Sequence, residues 1–378
     1  MVVITGASSG IGRATAHVLA REGCSLVLAA RRAEVLEEVA GECARLGGQA
    51  IAVPVDVSDA VAMERLAETA VARFGRIDAW HNNAGVLALG RIDDLPAAEA
   101  CRVVEVDVLG AVNGSAAAVR RFRQQGRGIL INTGSMLGVV AEPYATAYVA
   151  SKHAIRGLGE ALRAELADAP GIRVCTVLPI AADTPIFRRA ANHTGRELRA
   201  IPPTVDPYRV AAAVRSLLRN PRDEVVVGMF GRLLWAGEMA APSLLERTIA
   251  AVGPWLQFRP GPAPDSSGNL FAPVRDGWAV RGGWQTVPRS VLVAASLLAL
   301  GGWLVLARRG LAGRHRLLQA SAGREPAHHG DLVPLRMADA LRQQPHARVD
   351  GAGQRVVRHR DRPRMVPGHD RQEQGIEA

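Results

Sequence analysis

The sequence predicts an α/β fold, a doubly wound domain on a seven-stranded parallel sheet, and three observations carry that prediction. Up to about residue 230, short β-branched apolar runs alternate with longer helical stretches, the pattern of repeated βαβ units. A glycine-rich turn, Thr5-Gly6-Ala7-Ser8-Ser9-Gly10-Ile11-Gly12, joins the first run to the first helical stretch. With 48% apolar residues and 39 glycines in 378 residues, the chain can bury a large core and still turn tightly.

In chain order the expected strands are 2–5, 25–29, 50–55, 77–81, 128–133, 173–178 and 224–227. Between them, 12–22, 32–46, 61–74, 96–125 and 148–169 carry helical spacing. The pattern breaks from 181 to 207, where Pro185, Pro202, Pro203 and Pro207 surround Asn192-His193-Thr194-Gly195. A long loop over a rigid sheet is a natural cover for a ligand.

Four segments follow from this reading: a domain over 1–250, a Pro/Gly-rich linker or wrap over 251–289, an apolar segment over 290–308 and a basic tail over 309–378. Residues 291–307 carry no charge and end at Arg308-Arg309. At about 1.5 Å per residue they are just long enough to cross a bilayer core, so a membrane-associated helix is expected there. The tail lacks periodicity and aromatic residues and is expected to be disordered.

The net charge of +10 invites a nucleic-acid reading, yet 14 arginines against eight acids lie beyond residue 307, outside the expected fold. No basic groove, and no nucleic-acid partner, is therefore expected. The four cysteines, Cys24, Cys43, Cys101 and Cys175, are scattered and read as reduced core thiols, with no metal-ligand spacing. No secretory leader is visible before Val2-Val3-Ile4, so a cytoplasmic location is expected, with membrane association only through 290–308.

Glycines at a strand-to-helix turn let backbone approach a pyrophosphate, and the helix N-terminus offers oriented N–H groups. The expected cofactor contacts in this Rossmann-type arrangement are Gly6, Ser8, Ser9, Gly10, Ile11 and Gly12. The second strand ends Leu28-Ala29-Ala30-Arg31-Arg32, where a site for NAD would place an acid on the ribose hydroxyl. Arg31 or Arg32, helped by Arg13, would instead meet a 2′-phosphate, so NADP(H) is preferred over NAD(H).

Among 46 basic residues only one, Lys152, is a lysine, and it stands four residues after Tyr148. Residues four apart share a helix face, so the ammonium can sit beside the phenol. A free phenol titrates near about 10, and a fixed positive charge favours its ionised form. A compact ammonium does this where a planar guanidinium would not fit.

With these pieces in place, residues 1 to about 230 resemble the classical short-chain dehydrogenase/reductase family. The resemblance rests on the glycine turn, Asp56-Val57, Asn82-Asn83-Ala84-Gly85, and Ser135 thirteen residues before Tyr148 and Lys152. It implies that Asp56, beside Val57, binds the adenine amino group and that Asn82, Ala84 and Gly85 line the adenosine side and brace the central strand. It implies further that Ser135 bonds the substrate oxygen, Tyr148 exchanges a proton with it, and Lys152 holds the nicotinamide ribose and lowers the phenol pKa. Thr184 matches the position that contacts the carboxamide.

Two positions depart from the pattern. Asp107 stands where the family commonly has an asparagine that supports a proton path to the lysine, and it either serves as an acceptor or over-stabilises the Lys152 ammonium. Ile180 follows Pro179 where a glycine often does. The reading that results is an NADP(H)-dependent oxidoreductase acting on a small-molecule carbonyl or secondary alcohol through Ser135, Tyr148 and Lys152. Alanine-rich faces on 96–125 and 148–169 suit a homo-oligomer. The alternative is a catalytically weak NADP(H)-binding regulatory protein, or a membrane-attached interaction protein.

Overall fold

Every residue of Val2–Thr5 is buried, which requires layers on both faces of the strand. Val3, with Val27 and Ala29 of the next strand, packs into one apolar cluster, while Val2, Ile4, Leu26 and Leu28 pack into another. The period of two thus sends alternate side chains to opposite layers. The structure, a computed structural model, describes residues 1–274 and 278–284. These belong to one compact unit.

The strands of the main sheet are β1 (Val2–Thr5), β2 (Ser25–Ala30), β3 (Gln49–Pro54), β4 (Ala79–Asn82), β6 (Gly128–Thr133), β7 (Ile172–Pro179) and β10 (Glu224–Val227). Their order is β10-β7-β6-β4-β1-β2-β3, and all pairings are parallel, in agreement with the sequence reading. Helices α1 (Gly10–Ala20), α2 (Ala33–Arg45) and α8 (Pro207–Arg219) cover one face. Helices α3 (Ala60–Phe74), α5 (Gly110–Gln125) and α6 (Thr146–Glu165) cover the other, where Met63, Leu66, Phe122 and Leu166 meet Trp80. The chain winds outward in both directions from β1 and β4, which opens a crevice at their carboxyl ends.

The helix expected over 96–125 is divided. α4 (Ala97–Val104) passes through a π-helical turn, Glu105–Leu109, before α5 begins. The region 181–207 is not one loop. It holds the single turn α7 (Ile186–Arg189) and two short strands: β8 (Ala191–Asn192) pairs with β5 (Ala88–Leu89), and β9 (Arg196–Leu198) pairs with β11 (Phe258–Pro262). After β10 come α9 (Met229–Ala240) and α10 (Pro242–Gln257), so 251–257 is the end of a helix rather than a linker. Two cysteines, Cys43 and Cys175, are buried; Cys101 is exposed, so not all four are core thiols.

No helix among the described residues is long and apolar enough to cross a membrane. The expected apolar segment 290–308 and the tail 309–378 lie outside those residues.

Candidate active site

The glycine turn leaves β1 at the crevice and is held by close backbone packing. Gly6 has φ +64°, and a Cβ there would lie 2.8 Å from Ala84 Cα; one at Gly12 would lie 2.3 Å from Gly6 O. Larger residues would push the turn off the 83–84 backbone. Thr5 Oγ1 completes the clasp, accepting from the backbone N–H of Asn83 at 2.9 Å and of Ala84 at 3.1 Å. Asn82 lies behind this layer, where its Nδ2 donates to Ala111 O, Ser115 Oγ and Asn132 Oδ1. Gly6, Ser8, Ser9, Gly10 and Ile11 face a cavity of about 930 Å³, together with Ala84 and Gly85.

At one end of this cavity are Arg31, Arg32, Asp56 and Val57. Arg31 donates to the carbonyls of Asn269, Leu270 and Phe271, and Arg32 to Val274 O at 2.8 Å. Asp56 accepts from Ser58 and from Arg102; burial pushes the carboxyl up, but the hydrogen bonds from Ser58, and then that from Arg102 with its positive charge, hold it below its usual range. Arg13, expected beside Arg31, is directed elsewhere. Glu38 and Glu42 lie four apart on α2 and take its guanidinium at 2.5 and 2.6 Å, and a further N–H reaches Trp278 O. It does not line the cavity.

The backbone carbonyls that accept from Arg31, Arg32 and Arg13 belong to a strap that crosses the site after β11. Ala279 O accepts from Gly10 N at 3.2 Å, and Trp284 donates from its backbone to Asp183 and from its indole to Thr184 O. No local pattern in 251–289 signals this path, because its backbone carbonyls accept from arginine side chains some 240 residues away in sequence.

Further along the cavity, β6 delivers Ser135, which caps a short 3-10 turn by accepting from Leu137 N at 3.1 Å. Tyr148 and Lys152 lie one turn apart on α6, with Nζ 5.0 Å from the phenol ring centroid. Lys152 Nζ is 3.0 Å from Asp107 Oδ2, both side chains being buried, and Asp107 Oδ1 accepts from Val86 N at 2.8 Å. The π turn carries Asp107, and such turns often mark functional positions. The Asp107 carboxylate raises the Lys152 pKa against the effect of burial. Asn113, close in sequence, bonds Val57 O and Ser58 O instead. For Tyr148, burial pushes the phenol up; Lys152 opposes this, and Asp107 and Glu142 add to it. The net direction is therefore opposite to the lowered phenol pKa implied by the resemblance, since one ammonium does not offset burial next to two carboxyl groups.

Pro179 and Thr184 line the cavity beyond Ser135, and Ile180 is accommodated by glycines opposite it. A Cβ at Gly228 would lie 2.8 Å from Ile180 Cδ1, and one at Gly231 would lie 2.9 Å from Ile180 Cγ2. The far wall is apolar, with Leu233, Leu234, Leu245, Ile249 and Leu256 from α9 and α10. Two polar residues stand in it that the sequence reading missed: Glu142, pushed up to about 7 by burial, and Gln257, which donates to it. Arg189 of α7, also missed, reaches Ser9 Oγ at 3.3 Å.

A cavity that joins a glycine turn at the switch point to a tyrosine and lysine beneath an apolar wall is the layout of an oxidoreductase working with a dinucleotide. The short chain dehydrogenase family model matches residues 1–195. An uncharacterized oxidoreductase of Bacillus subtilis, YxnA, is 30% identical over 82% of this chain and 90% of its own length. An uncharacterized oxidoreductase of Listeria monocytogenes is 35% identical over 59% of this chain and 92% of its own. Among solved structures, a 3-ketoacyl-ACP reductase from Sinorhizobium meliloti is similar at 33% identity and TM-score 0.54, covering 61% of this chain and 99% of that one. An alcohol dehydrogenase from the archaeon Thermococcus sibiricus, complexed with 5-hydroxy-NADP, is similar at 32% identity and TM-score 0.52, covering 60% and 94%. The chain belongs to the short-chain dehydrogenase/reductase family and is an oxidoreductase.

Proposed function

We propose that the protein is an NADP(H)-dependent carbonyl reductase or alcohol dehydrogenase acting on a largely apolar small molecule. The observation that carries the reading is the presence of Ser135, Tyr148 and Lys152 in one cavity with the glycine turn and an apolar far wall. The residues present fit a dinucleotide. The turn admits no Cβ at Gly12, Arg31 and Arg32 stand at the ribose end, and Thr184 and Lys152 stand at the other. The cofactor, when bound, supplies or accepts the hydride.

The chain's own residues manage the oxygen. Ser135 Oγ–H donates to the substrate carbonyl oxygen and holds it against Tyr148, whose hydroxyl gives up its proton as negative charge grows there. Lys152 stabilises the phenolate that this leaves. Because burial keeps the resting phenol protonated, reduction finds its acid ready at neutral pH, whereas alcohol oxidation needs the phenolate and favours alkaline conditions. Asp107 keeps Lys152 charged through that range.

The similar protein named as complexed with 5-hydroxy-NADP supports the choice of NADP(H), as does the lack of an acid at Ala30. For Arg31 to take a 2′-phosphate, its guanidinium exchanges strap carbonyls for phosphate oxygens. Exposed Val104, Leu109 and Val112 on α4, the π turn and α5 support a homo-oligomer, and a cytoplasmic location agrees with use of cellular NADP(H). The test is oxidation of NADPH and NADH by the full chain over a panel of carbonyl compounds, with Tyr148→Phe beside it. Turnover that prefers NADPH and falls at least ~100-fold in the variant is expected. Tight NADPH binding without turnover on any carbonyl would favour the weakly catalytic binding protein, with the buried Asp107–Lys152 pair as its cause.

A further inference from the structure

Two arginines among the described residues are buried, and they differ in one respect. Arg13 is matched by Glu38 and Glu42. Among the described residues, Arg189, only 9% exposed, forms no ion pair and its Nε and Nη2 have no hydrogen-bond partner. Its one side-chain contact of this kind is Nη1 to Ser9 Oγ, in the glycine turn. Burial, with the like charge of Arg32 added to it, brings the guanidinium down to about 10. A buried charge without a counter-ion ordinarily costs several kcal/mol.

Nothing about α7 suggests that this position is slack. The Arg189 carbonyl accepts from Asn269 N at 2.9 Å, and a Cβ at Gly268 would lie 2.2 Å from that oxygen, so the strap fixes the backbone. Ile186 and Phe187, on the same turn, line the cavity and pack with Leu87, Leu89 and Tyr148. The side chain is thus carried by the substrate wall and aimed at the N-terminus of α1, where Ser9 is the N-cap and bonds none of the helix's own N–H groups through its side chain. A cation and a helix N-terminus converging from two walls of one cavity describe an anion cradle.

We propose that Arg189 is a phosphate clamp that binds the diphosphate of the dinucleotide from the side opposite the glycine turn. The inference rests on the dinucleotide reading above. The bound diphosphate supplies the countercharge that the fold withholds, and its oxygens accept from the free N–H groups of the guanidinium. Because α7 also carries Ile186 and Phe187, the same contact ties the cofactor to the wall that shapes the substrate chamber.

The experiment is calorimetric titration of the full chain and of Arg189→Gln and Arg189→Lys with adenosine, ADP, inorganic pyrophosphate and NADPH. For Arg189→Gln, ADP and NADPH binding should weaken by ~10- to 100-fold, with adenosine held within about twofold. Arg189→Lys should fall between, and the salt dependence of ADP binding from about 50 to about 500 mM should flatten in the glutamine variant. Ligand-free Arg189→Gln should unfold at no lower temperature than wild type, since the fold itself gains nothing from an unmatched cation. Unchanged ADP affinity, or equal losses for ADP and adenosine, would overturn the proposal. So would a variant that is destabilised or fails to fold without ligand, which would mark the arginine as structural. Inorganic pyrophosphate binding as tightly as ADP would reassign the cradle to a free anion. A wild type that binds NADPH while the variant binds it equally removes the clamp alone; a wild type that binds no NADPH removes the dinucleotide reading as well.

Discussion

Replacing Glu142 by glutamine should stabilise the protein, and by an amount that grows with pH. Burial raises this carboxyl from 4.5 to about 7. Below about pH 4.5 the group is neutral in both folded and unfolded chains and contributes nothing. Between the two values the unfolded chain loses the proton while the folded chain keeps it, so stability falls as pH rises; above about 7 the loss is complete. The difference corresponds to about 1 kcal/mol at pH 5 and about 3 kcal/mol at pH 8. Glutamine keeps an oxygen to accept from Gln257 and carries no charge, so it removes the penalty with little change in packing.

Urea unfolding of wild type and Glu142→Gln across pH 5 to 8 measures this directly. The wild-type midpoint should fall relative to the variant's as pH rises, so the gap between them should widen up to about pH 7 and then level off. A gap that does not change with pH, or a variant less stable at pH 8, would refute the reasoning and mark Glu142 as a packing residue. The same variant carries a second readout: ionised Glu142 holds the Tyr148 proton more tightly, so alcohol oxidation by Glu142→Gln should begin at lower pH.

Three more outcomes follow from the buried groups. His81 is wholly enclosed and brought down to about 3, so between pH 6.5 and 3 the folded chain refuses a proton that the unfolded chain takes. Stability present above pH 6.5 is lost as pH falls, and unfolding at pH 5 should take up about one proton more in wild type than in His81→Asn, measured by calorimetry in buffers of different ionisation heat. Lys152→Met leaves Asp107 charged or forces it neutral, and should cost about 3–5 kcal/mol in denaturant unfolding, while Lys152→Met with Asp107→Leu should recover a good part. Gly228→Ala sets a Cβ 2.8 Å from Ile180 Cδ1 at φ +111°, and should cost about 1–3 kcal/mol; Ile180→Ala in the same chain should return the steric part and leave the backbone part.

The sheet was legible because each strand is a short run whose neighbours in space are set by parallel crossovers, and those follow from the order of elements. Tyr148 and Lys152 were legible for a similar reason: four residues on one helix fix a contact. The turn at 5–12 needs glycine at Gly6 and Gly12 for close approaches that any strand-turn-helix of this kind makes. Even the departure at Ile180 could be seen, though its resolution could not, since Gly228 and Gly231 lie some 50 residues later and read as ordinary turn and helix glycines.

The parts that stayed hidden share a cause, and it bears on how the site works. Arg31 and Arg13 look alike in sequence, both basic and both near the expected phosphate, yet Arg13 is taken by two acids on α2 while Arg31 is held only by neutral carbonyls of the strap. An ion pair to two carboxylates is not readily given up to a ligand, whereas carbonyl bonds are exchanged for stronger charge-assisted ones when a phosphate arrives. The same distinction separates Arg189 from Arg13. What makes an arginine available is therefore the charge of its partners in the folded chain, which depends on where 38, 42, 269–274 and 278–284 come to lie and cannot be read from the arginine's own surroundings in sequence.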